Sequence, residues 1–91
     1  MKRLERHKFF IRDSRNFKLT DQQATKLFLY IATLLKGEYL PKEARDHKLS
    51  GEWLSFREFH IGGDALVIYK ADDNFIHLAR LGTHSQLFKK M

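Results

Sequence analysis

The sequence predicts an α+β fold: an antiparallel sheet with two helices packed on one face and a short helix at the C-terminal end. Two observations predict it. Apolar residues recur at helical spacing in the N-terminal half, and strand-forming runs separated by glycine and aspartate turns occupy the C-terminal half. Helices followed by a meander of three strands, with one further strand near the N-terminus, leave one sheet face available to a ligand.

The first residues predict a brief strand and a short helix. The strand is expected around Lys2 to Arg6, and the helix over residues 7–16. Three phenylalanines of this region, Phe9, Phe10 and Phe17, are expected to be buried by that helix.

A longer helix is expected from about Thr20 to Lys36. Thr20 and Gln23 form a capping box at its start, and Gly37 ends it. The residues that share its apolar face at helical spacing are Ala24, Leu27, Phe28, Ile31, Leu34 and Leu35. We therefore expect that face to pack on the sheet.

The C-terminal half predicts three strands and a last short helix. The strand-forming runs are Trp53 to Ile61, Ala65 to Lys70 and Phe75 to Leu81. Gly62 and Gly63 form a two-residue hairpin turn between the first two runs, and residues 72–74 form a second turn. Thr83 or Ser85 is expected to cap the terminal helix.

Length and composition bound the class of protein. At 91 residues, the chain is expected to form one domain over residues 1–91. It contains no cysteine, which excludes disulfides and thiolate metal sites and suits a reducing cytoplasm. No apolar run approaches the ~20 residues needed to cross a bilayer, so we expect a soluble cytoplasmic protein with no membrane partner.

The formal net charge of +6 is concentrated near the N-terminus. Residues 1–18 contain two acids and seven basic residues, namely Lys2, Arg3, Arg6, Lys8, Arg12, Arg15 and Lys18. Such a surface binds a phosphate backbone or an acidic partner, although a solvated helix face has the same composition. The candidates for RNA binding in this region are Lys2, Arg3 and Arg6.

The segment from Arg80 to Phe88 contains residue types that can cleave RNA. A guanidinium holds a phosphate through paired hydrogen bonds, an imidazole such as His84 moves protons near neutral pH, and an aromatic ring stacks on a base. Gly82 is expected to turn the chain so that His84 folds back toward Arg80. Cleavage without a metal needs a base, an acid and positive charge on the phosphorane, which histidine, carboxylate and arginine supply.

Further ionisable residues are expected on one sheet face. Glu58 and His60 are two apart on a strand, so their side chains project from the same face, roughly 7 Å apart. Asp64 lies just past the hairpin turn. Arg80 alternates in phase with apolar residues of its own strand, so it needs a strand end or a bulge to reach the polar face.

The second half of the chain resembles a known family. The resemblance is carried by Asp46-His47-Lys48-Leu49-Ser50-Gly51-Glu52-Trp53, Phe56-Arg57-Glu58-Phe59-His60, Asp64, Leu66-Val67-Ile68-Tyr69 and the segment from Arg80 to Phe88. In that order and spacing, these residues resemble the YafQ branch of the RelE superfamily, the ribosome-dependent mRNA-cleaving toxins of bacterial toxin–antitoxin pairs. The match covers residues 40–88, and the N-terminal half matches in helical layout.

The resemblance implies a set of site residues, identical to the family motif, at His47, His60, Asp64, Arg80, His84 and Phe88. Arg80 is implied to contact the scissile phosphate, and Phe88 to orient the RNA base. His84 and Asp64 are implied to share the acid–base work while the other two histidines assist. Which group is the base and which the acid stays open.

The chain departs from the family at three motif positions. Gly63 stands where members often have proline, Ala65 where some have tryptophan, and Glu58 where some have aspartate. The hairpin turn is therefore expected to be looser and one stacking ring absent. Glu58 is assigned to RNA binding rather than catalysis. Two histidines outside the motif, His7 and His77, are expected to be structural.

The resemblance implies an endoribonuclease that enters the ribosomal A site and cuts mRNA by 2′-OH attack, with no metal and no cofactor. Its implied partners are mRNA on the 70S ribosome and a cognate antitoxin protein, with DNA bound only indirectly through the antitoxin complex. One alternative is a non-catalytic basic module that binds RNA or an antitoxin. Another is a metal-dependent hydrolase using His47, His60, Asp64 and His84, although no short ligand motif such as H-E-x-x-H is present.

Overall fold

Five strands form one mixed sheet, and two helices cover one of its faces. The computed structural model describes residues 1–88, so the last three residues of the predicted domain lie outside the described residues. The elements in chain order are β1 (Arg3–Arg6), α1 (Lys8–Asn16), α2 (Asp21–Leu35), β2 (His47–Lys48), β3 (Arg57–Gly62), β4 (Ala65–Ala71), β5 (Phe75–Thr83) and α3 (His84–Leu87). The strands are ordered β1-β5-β4-β3-β2 across the sheet.

The predicted α+β class and the C-terminal meander are confirmed, but the sheet is not wholly antiparallel. β1 pairs with β5 in parallel, with Arg3 opposite Phe75. The two-residue strand β2 was not predicted and pairs antiparallel with β3, with His47 opposite Glu58. A strand of two residues is too short to show the alternation by which strands are predicted.

Helix α2 has the predicted capping box and, except for Phe28, the predicted face toward the sheet. Thr20 Oγ1 accepts from the Gln23 N–H, and Gln23 Oε1 accepts from the Thr20 N–H. Tyr30 and Leu34 are buried, whereas Phe28 is 69% exposed, so the prediction that Phe28 packs on the sheet is wrong. Because a helix turns by about 100° per residue, a buried stripe centred on Leu34 leaves Phe28 about 120° away.

Helix α1 begins after His7, whose Nδ1 accepts from the Phe9 N–H at 3.1 Å, a structural role as expected. Phe10 is buried and Phe17 packs against the core, but Phe9 is 41% exposed. The prediction that Phe9 is buried is wrong. Adjacent residues of a helix point about 100° apart, so a helix lying on a sheet buries only one of such a pair.

The strand expected from Trp53 begins only at Arg57, because residues 51–53 form a 3-10 turn. The rings of Trp53 and Phe56 meet edge-on with centroids 5.2 Å apart. The main core lies between the sheet and helices α1 and α2. A second apolar cluster covers part of the opposite sheet face, and its members are Leu49, Trp53, Phe56, Leu66, Ile68, Ala79, Leu87 and Phe88. The face expected to be open is open only beside this cluster.

The β3–β4 hairpin turn depends on glycine backbone conformation, and the β1–β5 edge is held by one histidine. Gly62 and Gly63 have φ values of 115° and 57°, which favour glycine, and the turn itself is made by Gly63 and Asp64. His77 lies between two carboxylates, 2.8 Å from Glu5 Oε1 and 3.2 Å from Asp72 Oδ2, and so ties β1 to β5. Within residues 1–88, no helix is long and apolar enough to cross a membrane.

Candidate active site

Three ionisable side chains lie together at the β2–β3 edge, on the sheet face away from α1 and α2. Glu58 Oε2 is 2.9 Å from His60 Nε2, and Glu58 Oε1 is 3.6 Å from His47 Nε2. Glu58 is only 3% exposed, whereas His47 is open to solvent. A buried carboxylate requires polar partners, and here each of its oxygens faces an imidazole nitrogen. Glu58 is thus the centre of the cluster.

Arg45 orients both histidines and sets their tautomers. Its main-chain carbonyl oxygen is 2.7 Å from His47 Nδ1, and its Nη2 is 3.2 Å from His60 Nδ1. A carbonyl only accepts, so His47 carries a proton on Nδ1, and a guanidinium only donates, so His60 Nδ1 accepts. Neutral His60 therefore donates from Nε2 to Glu58. Because Nδ1 of His47 carries a proton, the neutral form of His47 has its lone pair on Nε2, and only its protonated form has an Nε2–H for Glu58 Oε1.

The protonation state of His60 follows from its surroundings. Burial, together with the positive charge of Arg45, holds the pKa of His60 below its usual value of 6.5, although Glu58 opposes the shift. His60 is therefore neutral near pH 7. The cluster offers an imidazole donor, an imidazole acceptor and a carboxylate, which are the groups that general acid–base catalysis uses.

The same three residues also form a candidate metal site. One ligand atom from each of His47, Glu58 and His60 lies within 4.8 Å of the other two. Two imidazole nitrogens and a carboxylate oxygen suit zinc or copper. An ion would have to displace the Nε2 proton that His60 donates to Glu58. Metal binding and proton transfer therefore compete for the same atoms.

A β-bulge turns Arg80 toward the sheet face that carries this cluster. Ile68 pairs with Arg80 and the next residue, Tyr69, pairs with Leu78, so Ala79 is the extra residue in β5. The bulge that Arg80 needs in order to leave the phase of its apolar neighbours is therefore present. Without it, the arginine would point to the helix-covered core.

Strand register places Arg80 and the cluster in one row. Arg80 pairs with Ile68, Ile68 pairs with Glu58, and Glu58 pairs with His47. Directly paired residues of neighbouring strands share a face, and strands are about 4.8 Å apart, so the Cα atoms of Arg80 and Glu58 are about 10 Å apart.

The guanidinium of Arg80 is bound by Asp13 of α1. Arg80 Nε donates to Asp13 Oδ2 at 2.7 Å and Nη2 to Oδ1 at 3.3 Å, and the Leu81 N–H donates to Oδ2 at 3.0 Å. Burial raises the pKa of Asp13, but these hydrogen bonds and the Arg80 charge outweigh it and hold the pKa below 3.8. Neither bond from Arg80 uses Nη1, so an oriented arginine keeps donors for a phosphate.

His84 is the first residue of α3 and packs on Phe88. Of the two predicted caps, Thr83 is the one used: it accepts from the Gln86 N–H, and Gln86 accepts from the Thr83 N–H. The ring centroids of His84 and Phe88 are 4.7 Å apart, and those of Phe88 and Trp53 are 6.3 Å apart. Phe88 therefore contacts His84 while it also belongs to the second apolar cluster.

Gly82 lets α3 lie close to β5. It is within the strand, opposite Leu66, and its φ is not positive, so the expectation of a sharp turn at Gly82 is wrong. A Cβ there would lie 3.0 Å from Gln86 Oε1 and 3.2 Å from Leu87 Cδ2. Because Leu66 also pairs with His60, α3 begins at the same end of the sheet as the histidine cluster.

Asp64 and the basic residues of the N-terminus lie apart from the cluster. Asp64 is exposed in the hairpin turn and precedes Ala65, so it lies at the end of the sheet where α3 begins. Strand β1 is at the opposite edge from β2, about 14 Å or three strand spacings from β3. The structure therefore does not bring Lys2, Arg3 and Arg6 to the histidines.

Two residues of this site were not expected from the sequence, Arg45 and Asp13. Arg45 acts partly through its main chain and has a φ of 48°, a conformation that no local motif indicated. Asp13 is 67 positions from Arg80 in the chain. The one available signal was that Asp13 is an acid within an otherwise basic helix.

Comparison with known proteins places this site in a family. The model of the bacterial toxin of type II toxin–antitoxin system, YafQ, matches residues 2–89. The mRNA interferase toxin YafQ of Escherichia coli K12 is 41% identical over 61 residues, which cover 65% of this chain and 66% of that relative. The chain thus spans just under two thirds of the length of this curated relative.

Solved structures match over nearly the whole chain. A copper-bound mutant toxin from Helicobacter pylori has a TM-score of 0.86 and 37% identity, with 97% of this chain and 100% of that chain covered. YafQ in the Escherichia coli DinJ–YafQ complex has a TM-score of 0.83 and 28% identity, with 97% and 99% covered. By sequence and by fold, the chain belongs to the YafQ family of bacterial type II toxin–antitoxin toxins.

Proposed function

We propose that the protein is a ribosome-dependent endoribonuclease toxin that cuts mRNA in the A site. The observation that carries the proposal is the Glu58 carboxylate, buried between His47 and His60 and in one row with Arg80. Family membership supports the reaction class, because the Escherichia coli relative is an mRNA interferase by name.

In the proposed reaction, a ribose 2′-OH attacks the adjacent phosphorus. A base takes the 2′-OH proton, the bond from phosphorus to the 5′-oxygen breaks, and an acid protonates that oxygen, leaving a 2′,3′-cyclic phosphate and a 5′-OH; addition of water then opens the cyclic phosphate to a 3′-phosphate. The Nε2 lone pair of His47 suits proton acceptance, and His60 with Glu58 holds a proton that can be donated. Arg80, oriented by Asp13, neutralises the phosphorane.

The end of the sheet where α3 begins supplies the remaining groups. His84 is exposed at the first position of α3 and takes part in proton transfer together with Asp64. Phe88 orients the RNA base, because its ring packs on His84 and so adjoins the reacting groups.

The proposed partners are the ribosome with its mRNA and a cognate antitoxin. The Escherichia coli relative is solved in a complex with DinJ, which supports neutralisation by an antitoxin. DNA is contacted only through that complex. The basic residues Lys2, Arg3 and Arg6 lie at the far edge of the sheet and add affinity for RNA phosphates in the cytoplasm, where ribosomes are found.

A metal-dependent hydrolase is the second candidate, because His47, Glu58 and His60 have ligand atoms within 4.8 Å of one another. The copper-bound relative from Helicobacter pylori adds weight to it. Cleavage in the presence of EDTA supports the metal-free reaction. Loss of cleavage in EDTA that is restored by zinc or copper would favour the metal enzyme instead.

The deciding experiment is translation of a defined mRNA in a purified system, with cut ends mapped on ribosomes and on the same RNA without ribosomes. We expect cleavage on ribosomes, little cleavage of the naked RNA, and 5′-OH ends. Efficient cleavage of naked RNA at the same enzyme concentration would contradict ribosome dependence. Binding to ribosomes without any cleavage would identify a non-catalytic module.

A further inference from the structure

A cleft of about 630 Å³ opens beside Arg80, between the start of α1 and the second apolar cluster. This volume is within the usual range for small-ligand sites. The residues that matter for its chemistry are three aromatic side chains and three cations, namely Phe9, Trp53, Phe56, Arg6, Lys70 and Arg80. We refer to it as the basic aromatic cleft.

Phe9 is an exposed aromatic ring surrounded by positive charge. Its centroid is 4.7 Å from Arg12 Cζ, 5.6 Å from Lys8 Nζ and 5.8 Å from Arg80 Cζ. Helix α1 buries its neighbour Phe10 instead, so Phe9 does not serve the core. An accessible ring among cations is the arrangement on which a nucleobase stacks while its phosphate is neutralised.

The other wall of the cleft repeats this combination. Lys70 Nζ lies 5.3 Å from the centroid of Phe56, and Lys70 is exposed. Over residues 1–88, the ion pairs within 4.0 Å include neither Lys70 nor Arg6. Glu5, the acid that lines the cleft, contacts His77. The cleft therefore selects an anion.

Arg80 connects the cleft to the candidate active site, because it lines the cleft and is paired through Ile68 with Glu58. We propose that the basic aromatic cleft binds a nucleotide of single-stranded RNA adjoining the scissile phosphate. The base stacks on Phe9, and the backbone phosphate is held between Lys70 and Arg6. This inference rests on the proposed function, since it extends the RNA path away from the reacting groups.

An acidic peptide would match the charge of the cleft but not its rings. Three aromatic side chains on the walls suit a nucleobase, because a planar base can stack on a ring with either face. A peptide backbone has no aromatic ring to stack. The observations therefore favour RNA, and a peptide is an outcome that the experiment separates.

The test uses RNA with 2′-O-methyl riboses, which cannot be cleaved, and with 2-aminopurine at one position at a time. Stacking on a protein ring changes 2-aminopurine fluorescence, so the position that enters the cleft is identified directly. Wild type is compared with Phe9→Leu and Lys70→Gln. The matched control is Lys42→Gln, which removes the same charge from an exposed residue outside the cleft.

We expect a fluorescence change at a position next to the mapped cleavage site. Phe9→Leu should abolish it and weaken RNA affinity about fivefold or more, the lower limit for one base–aromatic stack. Lys70→Gln should reduce the slope of log affinity against log salt by ~0.7, whereas Lys42→Gln should change neither quantity. A signal that persists in Phe9→Leu, or no signal at any position, would overturn the proposal.

The remaining outcomes distinguish failure of the cleft proposal from failure of the proposed function. If Phe9→Leu does not fold in a thermal melt, the salt slope of Lys70→Gln decides the question. If RNA affinity is unchanged in both variants but affinity for a synthetic Glu/Leu peptide falls, the cleft is a peptide site and the proposal fails. Wild type that stacks 2-aminopurine in the cleft but cleaves nothing on ribosomes would refute the proposed function and leave the cleft as an RNA site.

Discussion

Replacing Asp13 with asparagine tests whether one carboxylate holds Arg80 in place. Asp13 Oδ2 accepts from Arg80 Nε and from the Leu81 N–H, and Oδ1 accepts from Arg80 Nη2. Asparagine has one acceptor oxygen, so one of these positions becomes an amide NH₂ that faces a donor. The variant keeps the shape of the side chain but loses its charge and at least one hydrogen bond.

The size of the effect follows from the burial of the pair. The side chains of Asp13 and Arg80 are 11% and 23% exposed, so solvent screens their interaction only in part. A hydrogen bond to a charged group contributes about 1.5 to 3 kcal/mol. We expect the free energy of unfolding to fall by about that amount, and since 1 kcal/mol shifts the Tm of such a domain by about 4 to 8 °C, Tm should fall by at least about 6 °C.

The difference between the two proteins should depend on pH. The pKa of Asp13 is below 3.8 in the folded protein, whereas the unfolded chain has the ordinary value. Because the unfolded state binds the proton more readily, the contribution of Asp13 is fully present above the unfolded pKa and is lost as the pH falls through the folded pKa. Asparagine does not titrate, so the Tm difference should be constant from about pH 7 to 5 and shrink below about pH 4.

Thermal melts across this pH range, followed by circular dichroism, measure both effects. The matched control is Asp73→Asn in the exposed turn between β4 and β5, which should leave Tm unchanged. Single-turnover cleavage on ribosomes should slow by up to ~10² in Asp13→Asn, because Arg80 is no longer preorganised. Wild-type Tm and rate would show that Arg80 does not depend on Asp13. A Tm difference that stays undiminished in acid would refute the role of the charge.

Three further substitutions test other parts of the structure. His84→Gln should slow single-turnover cleavage ~10²- to 10⁴-fold through lost proton transfer, with an unchanged thermal melt because His84 is exposed; a normal rate in the folded variant would remove His84 from the site. Tyr69→Phe removes the hydroxyl that donates to Asp46 at 2.7 Å, so chemical denaturation should show a loss of about 1.5 to 3 kcal/mol, and unchanged stability would contradict the importance of this bond. Gly82→Ala places a Cβ 3.0 Å from Gln86 Oε1 and should displace α3, which would appear as faster proteolysis of the C-terminal end together with slower cleavage; a wild-type digestion pattern would show that α3 adjusts without moving.

Local sequence signals predicted the parts of the fold that depend on neighbouring residues. The capping boxes at Thr20 and Thr83 need only residues three positions apart, and α2 begins as predicted while Thr83 proved to be one of the two caps expected. The antiparallel direction expected of β1 was wrong, because local sequence does not determine which way a strand runs, and all four residues of β1 are exposed and show no alternation. Its parallel pairing with β5 is decided by long-range contacts, among them the one between Glu5 and His77.

The sequence predicted which chemical groups form the candidate site, but not their burial or their hydrogen-bond partners. The motif supplied His47, His60 and Arg80, and the alternation of β3 placed Glu58 beside His60. The burial of Glu58 was not visible, because its cross-strand neighbours His47 and Ile68 are distant in the chain and are brought beside it only by the pairing of β2 and β4 with β3. Arg45 could not be found either, since a main-chain carbonyl carries no sequence signature.

Residues outside the family motif set the direction and protonation of the groups within it. Arg45 gives His47 and His60 opposite neutral tautomers, so the single carboxylate of Glu58 accepts a hydrogen bond from His60 Nε2–H and faces Nε2 of His47, which holds a lone pair when His47 is neutral. If His47 accepts a proton in the proposed reaction, its Nε2–H then points at Glu58 Oε1, and the buried carboxylate stabilises the imidazolium without being protonated itself. If His47 carried its neutral proton on Nε2 as His60 does, both histidines would donate to Glu58 and no Nε2 lone pair would be left to accept a proton, so the Arg45 carbonyl oxygen sets the asymmetry on which acid–base chemistry at this cluster depends.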